Sequence, residues 1–213
     1  ISDGKFLYFS LNQSGSVKPY YVFHQNSAAA DSAQELKMTE GGSSFTKLTG
    51  LFKNVGHIYF IDEASGAATF YRGTGDVSPN NGVPDNLVAY TASPSSPPPL
   101  SSLVFDSTGT NGVIIGTDGS SNKSLYTLSS SGSAITQITD TVSPGFTSIQ
   151  SLSISDNGSI YFIGTSSGTK GVYRVSGGTL TNLTASLTLI NIEFLNTLSS
   201  VSSNKVYFVG RNA

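Results

Sequence analysis

Residues 157–164 read NGSIYFIG, a polar turn running into a strand that is apolar on both faces. Related phrases stand at GKFLYFS (4–10), GHIYFID (56–62), NGVIIGTD (111–118) and NKVYFVG (204–210). Aligned on their paired apolar residues they give Tyr8-Phe9, Tyr59-Phe60, Ile114-Ile115, Tyr161-Phe162 and Tyr207-Phe208, a recurrence of roughly fifty residues. Self-similarity at that period points to a solenoid or a propeller, so the repeat is read before any local motif.

Within the copy that opens at NGSIYFIG, the turn SSGTK leads to a second strand, GVYRV (171–175), and the turn SGG to a third, TLTNLT (179–184). The preceding copy repeats this as SLYTL (124–128) and AITQIT (134–139), and the first as ELKMT (35–39) and FTKLT (45–49). The segments SSLVF (101–105), QSLSIS (150–155) and NTLSSV (196–201) alternate apolar and polar residues, and are read as fourth, outer strands, with IYFIG innermost. The expected architecture is an all-β propeller, or a propeller fragment, of four-stranded antiparallel blades. It forms a single domain over 1–213, with repeats starting near 5, 56, 112 and 158 and an extra strand at 204–213.

Other segments fit around that frame. PYYVFH (19–24) reads as an additional hairpin arm inserted in the first blade, and SAAADSAQELK (27–37) as a loop or short helical turn. SPSSPPPL (93–100) reads as a stiff connector, because proline fixes φ and cannot donate to a ladder. The opening ISDGKFLYF matches ISDNGSIYF (154–162), which makes residues 1–3 the tail of a fourth strand. Four full repeats and an extra strand suit a piece of a longer propeller or a ring closed with other blades or another chain.

The surface chemistry is neutral and rich in hydroxyls. Charged residues make up 11% of the 213, against about a quarter in typical globular proteins. A net charge of -2 without a dense Lys/Arg run lacks the electrostatic footprint that a phosphate backbone requires, which excludes nucleic acid as a partner. There is no cysteine, hence no disulfide, no thiolate nucleophile and no Cys-type zinc site. No apolar run is long enough to span a bilayer as a helix. The composition leans toward an extracytoplasmic setting, whether periplasmic, secreted or cell-surface, and Asn12, Asn122, Asn157 and Asn182 match the glycan-acceptor pattern at chance frequency.

The unit YF-x-G…GVYRVSGGTLTNLT resembles the repeats of bacterial TolB-like and YWTD-like propellers. The chain departs from the second of these in having no tryptophan, and SISDNGSIYF (153–162) is the nearest approach to a sialidase-type box. The resemblance implies a propeller used mostly for binding and scaffolding.

By that resemblance, ligands bind where the loops before each YF strand and the loops joining second to third strands gather. The first set holds Asp3, Lys53, Asn54, His57, Asp106, Asn111, Asp156, Asn157 and Asn204, and the second holds Glu40, 74–86, 129–133 and 176–178. Against a binding role stands the ordinary one, in which Asp156, Asn157 and Asn204 close turns with their own backbone. His57 is the best acid/base candidate at neutral pH, with Asp106 or Asp156 as its partner in a hydrolase or lyase, yet no nucleophile elbow or ligand spacing accompanies it. In GDVSPNNGVPDN (75–86), Asp76, Asn80 and Asp85 offer hard oxygens to a possible calcium without EF-hand spacing; a solvated turn is the plainer reading, and no other cofactor is expected. Tyr71, Tyr90 and Tyr126 could form sugar platforms but stand at positions expected to be inter-sheet core. The function expected is a non-enzymatic module presenting loops to a protein or glycan partner.

Overall fold

The computed structural model describes residues 6–23, 34–35, 45–54, 56–64, 67–74, 87–93, 98–187, 189–197 and 206–212. The chain divides into two compact units, residues 1–91 with 95–101 and residues 92–94 with 102–213.

The first unit holds two sheets. One has the order β1 (Phe6–Gln13), β2 (Ser16–Phe23), β3 (Gln34–Glu35); the other runs β4 (Leu48–Asn54), β5 (His57–Ala64), β6 (Ala67–Thr74), β7 (Val88–Ala89). The 91–137 segment supplies β8 (Thr91–Ser93), β9 (Leu100–Phe105), β10 (Asn111–Thr117), β11 (Lys123–Ser129) and β12 (Ala134–Gln137), in the order β8-β12-β11-β10-β9. A short 3-10 turn (Thr139–Thr141) leads to the sheet β13 (Ser148–Ile154), β14 (Ile160–Ser166), β15 (Thr169–Ser176), β16 (Thr179–Asn182). The last sheet pairs β17 (Leu189–Thr197) with β18 (Val206–Asn212). The pairings recorded between these strands are antiparallel, as expected of blades.

The phase of the repeat differs from the expectation by one strand. IYFIG is not an innermost edge strand: β14 lies between β13 and β15, and its apolar residues are buried on both faces because sheets cover both. QSLSIS forms β13 and opens the same sheet instead of closing the one before; SSLVF does so as β9, and the Leu48–Thr49 end of FTKLT as part of β4. The alternation misled because this first strand is irregular. Register shifts fall between Leu48 and Gly50 and between Gln150 and Ser153, with Ser102 and Ser151 at positive φ.

Four smaller expectations change with it. PYYVF is no inserted arm but β2, paired along its length with β1, and Glu35 continues that sheet opposite Tyr20. Ile114 faces Tyr126 across β10–β11 as Phe162 faces Tyr173 and Phe60 faces Tyr71, so Val113-Ile114, not Ile114-Ile115, matches Tyr-Phe. The strand at the C-terminus has a partner, β17, which stands to β18 as β13 stands to β14. Of NTLSSV only Asn196 and Thr197 are described, and both lie in β17.

With that register, one packing rule covers the described cores. Within each unit, positions equivalent to Tyr161 and Ile163 face the following sheet, and positions equivalent to Ile160 and Phe162 face the preceding one. Val113, Ile115 and Leu125 thus pack on Ile160, Phe162, Tyr173 and Val175, while Tyr161, Ile163 and Val172 pack on Ile192 and Phe208. In the first unit Tyr8 packs on Ile58, Phe60 and Phe45. Each fully buried side chain of this size contributes about 1.5–3 kcal/mol, enough to hold sheets too narrow to be stable alone.

A threonine at the rim serves the same end in both of these sheets. Where the outer strand leaves the ladder, Thr141 Oγ1 accepts the Leu125 N–H at 2.9 Å and Thr184 Oγ1 accepts the equivalent Val172 N–H at 3.1 Å. A threonine hydroxyl completes the hydrogen bonding that the strand no longer supplies.

Candidate functional site

Strands one and three of an antiparallel sheet run in the same direction, so the β13–β14 and β15–β16 turns fall at one end. There they meet the outer part of the neighbouring sheet and enclose a cleft of about 310 Å³. Its walls are Thr127 of β11, Gln137 of β12, Thr139, Gly158 and the Gly177–Gly178 turn, over a floor of Ile138, Ile160 and Val175. Gly177 and Gly178 both take positive φ, and nothing lies within 4 Å of where a Cβ would stand at either, so bare backbone is presented at the rim. Gln137 Nε2 donates to Ser124 Oγ at 3.1 Å, which fixes the amide plane at the wall.

Two contacts tie the sheets together beside the cleft. Ser107 Oγ donates to Asp156 Oδ1 at 2.5 Å, and the Leu180 N–H donates to Asp140 Oδ2 at 3.2 Å. The second occupies a main-chain donor on the rim strand β16, an edge that would otherwise invite another strand.

The carboxylates and amides singled out in the sequence mostly close turns. Asp106 accepts the N–H groups of Thr110 and Asn111 at 2.9 and 3.1 Å, the Thr108 hydroxyl at 2.8 Å and the Asn111 amide at 2.7 Å. Partial burial opposes its ionisation, but the bonds from Asn111, Thr108 and Thr110 outweigh it and hold the carboxyl below its usual 3.8. Asn157 Oδ1 accepts from Ser155 Oγ at 2.6 Å and from the Ser159 N–H at 3.0 Å. Asp118 closes the β10–β11 turn in the same way, through the N–H groups of Ser120 and Asn122, both at 2.8 Å.

His57 and Asn54 face each other across the tight β4–β5 hairpin in the first unit, whereas Asp106, Asp156 and Asn157 lie in the second. The imidazole stands edge-on to Tyr59 with ring centroids 6.3 Å apart. Burial, then the Arg72 guanidinium, push its pKa below 6.5 against a hydrogen bond with the Gly73 backbone, so it is neutral at pH 7. Tyr59, stacked on Phe70 at 5.6 Å, is pushed up to about 12, chiefly by burial and then by Tyr90, with Arg72 and an Asn54 hydrogen bond opposing. Arg72 itself lies 5.8 Å over the Tyr90 ring. Tyr90 and Tyr126 are buried and Tyr71 meets Phe45 edge-on, so none of the three is a surface platform.

Asp3, Glu40, Asn204 and the calcium candidates Asp76, Asn80 and Asp85 fall outside the described residues, as does His24. Among the described residues, no three His, Asp or Glu side chains converge as a metal site would require. The cleft walls Thr127, Gln137 and Thr139 were not singled out in the sequence, where hydroxyl and amide residues are too common to stand out.

Set against solved structures, the chain superposes on TolB from Acinetobacter baumannii with a TM-score of 0.50, at 13% identity over 85% of this chain and 41% of that one. The fold is that of a TolB-like β-propeller. A TolB structure from Agrobacterium tumefaciens matches at 19% identity over 99% of this chain and 67% of that one, with a TM-score of 0.49. The β-propeller domain of the Trilobed protease from Pyrococcus furiosus, described as having an open velcro topology, matches at 10% identity over 100% and 77%, with a TM-score of 0.41. No family model matches the chain, and no curated protein does. The likeness is one of fold, and this propeller spans less than half the length of the Acinetobacter protein. Among the described residues no helix is long and apolar enough to cross a membrane.

Proposed function

We propose that this propeller is a non-enzymatic binding and scaffolding module, and that the cleft between the β8–β12 and β13–β16 sheets takes a segment of a partner protein. The observation that carries this is the chemistry of the cleft. Hydroxyls, one fixed amide and the bare Gly177–Gly178 backbone line a wall above an apolar floor, with no charged side chain among the lining residues. Such a lining suits a main chain, which offers its own N–H and C=O groups and small apolar side chains. A glycan is the weaker fit, because of the tyrosines that could have stacked on a sugar ring Tyr90 and Tyr126 are buried and Tyr71 is partly buried against Phe45. Acids spent on turns, as Asp106 and Asp118 are, support a display role over an acid/base one. The hydroxyl-rich, weakly charged composition supports an extracytoplasmic setting.

The test is to pan the chain against a displayed random-peptide library and a glycan array, then repeat with Gln137→Arg and Thr127→Lys, which crowd the cleft from its walls. Peptide binders that lose at least tenfold in affinity for both variants are expected. Binders indifferent to both substitutions, or glycan binders alone, would refute the reading. Calcium at 75–86 is checked separately: a rise in melting temperature with added calcium, lost in Asp76→Asn with Asp85→Asn, is the outcome that would support it.

A further inference from the structure

Two sheets of the second unit finish differently at the rim. In the first, β12 is not the last strand, because β8, whose Ala92 and Ser93 belong to this unit, adds a fifth beside it. In the second, β16 is the last strand. Each addition to the rim comes from the link that leads into the sheet's own first strand, since β8 precedes β9 as Thr139–Thr141 precedes β13. The link that supplies a whole strand to β12 thus supplies one side chain to β16, the Asp140 carboxylate on the Leu180 N–H.

The register determines what that leaves at the edge. Gly177 and Gly178 make a two-residue turn, so Ser176 and Thr179 are its hydrogen-bonded closing pair and the pairing alternates outward from them. The Leu183 N–H donates inward to the Val172 carbonyl at 2.8 Å, in phase with that alternation. Leu180 and Asn182 therefore turn their main-chain groups away from β15. Asp140 meets one of these, and the Leu180 carbonyl and both Asn182 groups stand at the rim, where Thr179, Thr181 and Asn182 are exposed. Ile160, Val175 and Leu180 form one cross-strand row, so the apolar floor of the cleft leads out to this edge.

We infer that the partner segment held in the cleft continues along the outer edge of β16 as an added strand, pairing with Leu180 and Asn182 in the place that β8 fills beside β12. This rests on the cleft being the docking site. Main-chain hydrogen bonds supply the affinity in such an addition, and the side chains that alternate above and below it supply the selection. The internal precedent sets the chemistry of the occupant: an extended, uncharged segment of small or β-branched residues, as Thr91-Ala92-Ser93 is. An acidic segment is disfavoured by the Asp140 carboxylate, which the incoming strand displaces from the Leu180 N–H.

The probe is the tightest peptide from the displayed library whose affinity falls for Thr127→Lys, remade with one main-chain N–H methylated at a time. Methylation at alternate residues should weaken binding to the full chain by at least tenfold and leave it unchanged at the residues between, because only every second N–H of an added strand faces its neighbour. The Asn182 amide should exchange with solvent at least tenfold more slowly when the peptide is bound. Asp140→Ala, confirmed as folded by thermal melting, removes the carboxylate that competes for the Leu180 N–H and should tighten binding at least threefold. Methylation effects without alternation, or an Asn182 amide whose exchange the peptide leaves unchanged, overturn the added strand and leave the cleft reading standing. So does a folded Asp140→Ala protein that binds no tighter. A library that yields no peptide sensitive to Thr127→Lys sinks both.

Discussion

In the sheet β13–β16, Phe146 stands edge-on to both Phe162 and Tyr173, with centroids 5.2 and 4.8 Å away. In β4–β7, Phe45 stacks on Phe60 at 5.3 Å and meets Tyr71 edge-on at 5.7 Å. The same three positions form an aromatic cluster in both, but the rings are arranged differently, and one neighbouring residue accounts for it. Gly164 follows Phe162 by two residues, and a Cβ there would lie 2.7 Å from the Phe146 ring, so the ring rests against bare backbone. The equivalent residue in the other sheet is Asp62, whose side chain occupies that space and accepts the Lys47 N–H at 2.6 Å, only 4% exposed. The repeat conserves register and leaves each copy to fill the same gap by its own chemistry.

The largest expected effect comes from emptying the cluster. Phe146→Ala removes a fully buried ring and should lower the stability of the second unit by about 3–5 kcal/mol in urea unfolding. Next is the filled gap: Gly164→Ala forces Phe146 aside and should cost about 1–3 kcal/mol. Asp62→Ala, which leaves the Lys47 N–H without its carboxylate, should cost about 1–3 kcal/mol through a different cause. The double substitution Gly164→Ala with Phe146→Leu separates the two mechanisms. If it is no more stable than the Gly164→Ala protein, the crowding account of that glycine fails.

Much of this was legible before any coordinates, and the part that was not has a physical reason. The five YF-type phrases gave the sheets because an apolar run bounded by Gly and Asx turns has few other uses. Their place within each sheet was not legible, since a strand buried on both faces looks the same at an edge and in second position. The FT pairs at Phe45-Thr46 and Phe146-Thr147 carried the missing signal. They stand just before β4 and β13, in step with the YF strands, and aligning them would have shown that these two sheets start before their YF phrases. At the turns, Asn157 makes the local bonds that an Asx residue in such a sequence suggests, with the Ser155 hydroxyl and the Ser159 N–H both reaching Oδ1. The cleft was invisible, because Thr127 and Gln137 acquire meaning only when two sheets bring them beside Gly177.

A smaller effect tests whether turns and cores contribute separately. Asp106→Ala deletes the bonds to Thr108, Thr110 and Asn111 and should cost roughly 0.5–1.5 kcal/mol at pH 7. Because the folded carboxyl has its pKa below 3.8, its contribution is present above that value and disappears as pH falls through the folded pKa. The variant and the parent chain should therefore converge in stability in strong acid. A gap that stays constant with pH would mean that Asp106 acts through packing alone.

The smallest expected effect lies at the first-unit hairpin, where His57 stands in the position that Ser159 holds in β13–β16. Ser159 cannot titrate, whereas His57 is held neutral by burial and by Arg72, with its pKa below 6.5. In an unfolded chain the imidazole takes up its proton near 6.5, before the folded form does, so acidification through that range favours unfolding and stability rises with pH. His57→Gln should flatten this slope between the unfolded and folded pKa values and leave stability above pH 7.5 nearly unchanged. Urea midpoints of the two proteins at pH 5.5 and 7.5 decide it. Equal acid-induced loss in both would place the titration elsewhere and make His57 no more than the filler that Ser159 is in the other copy.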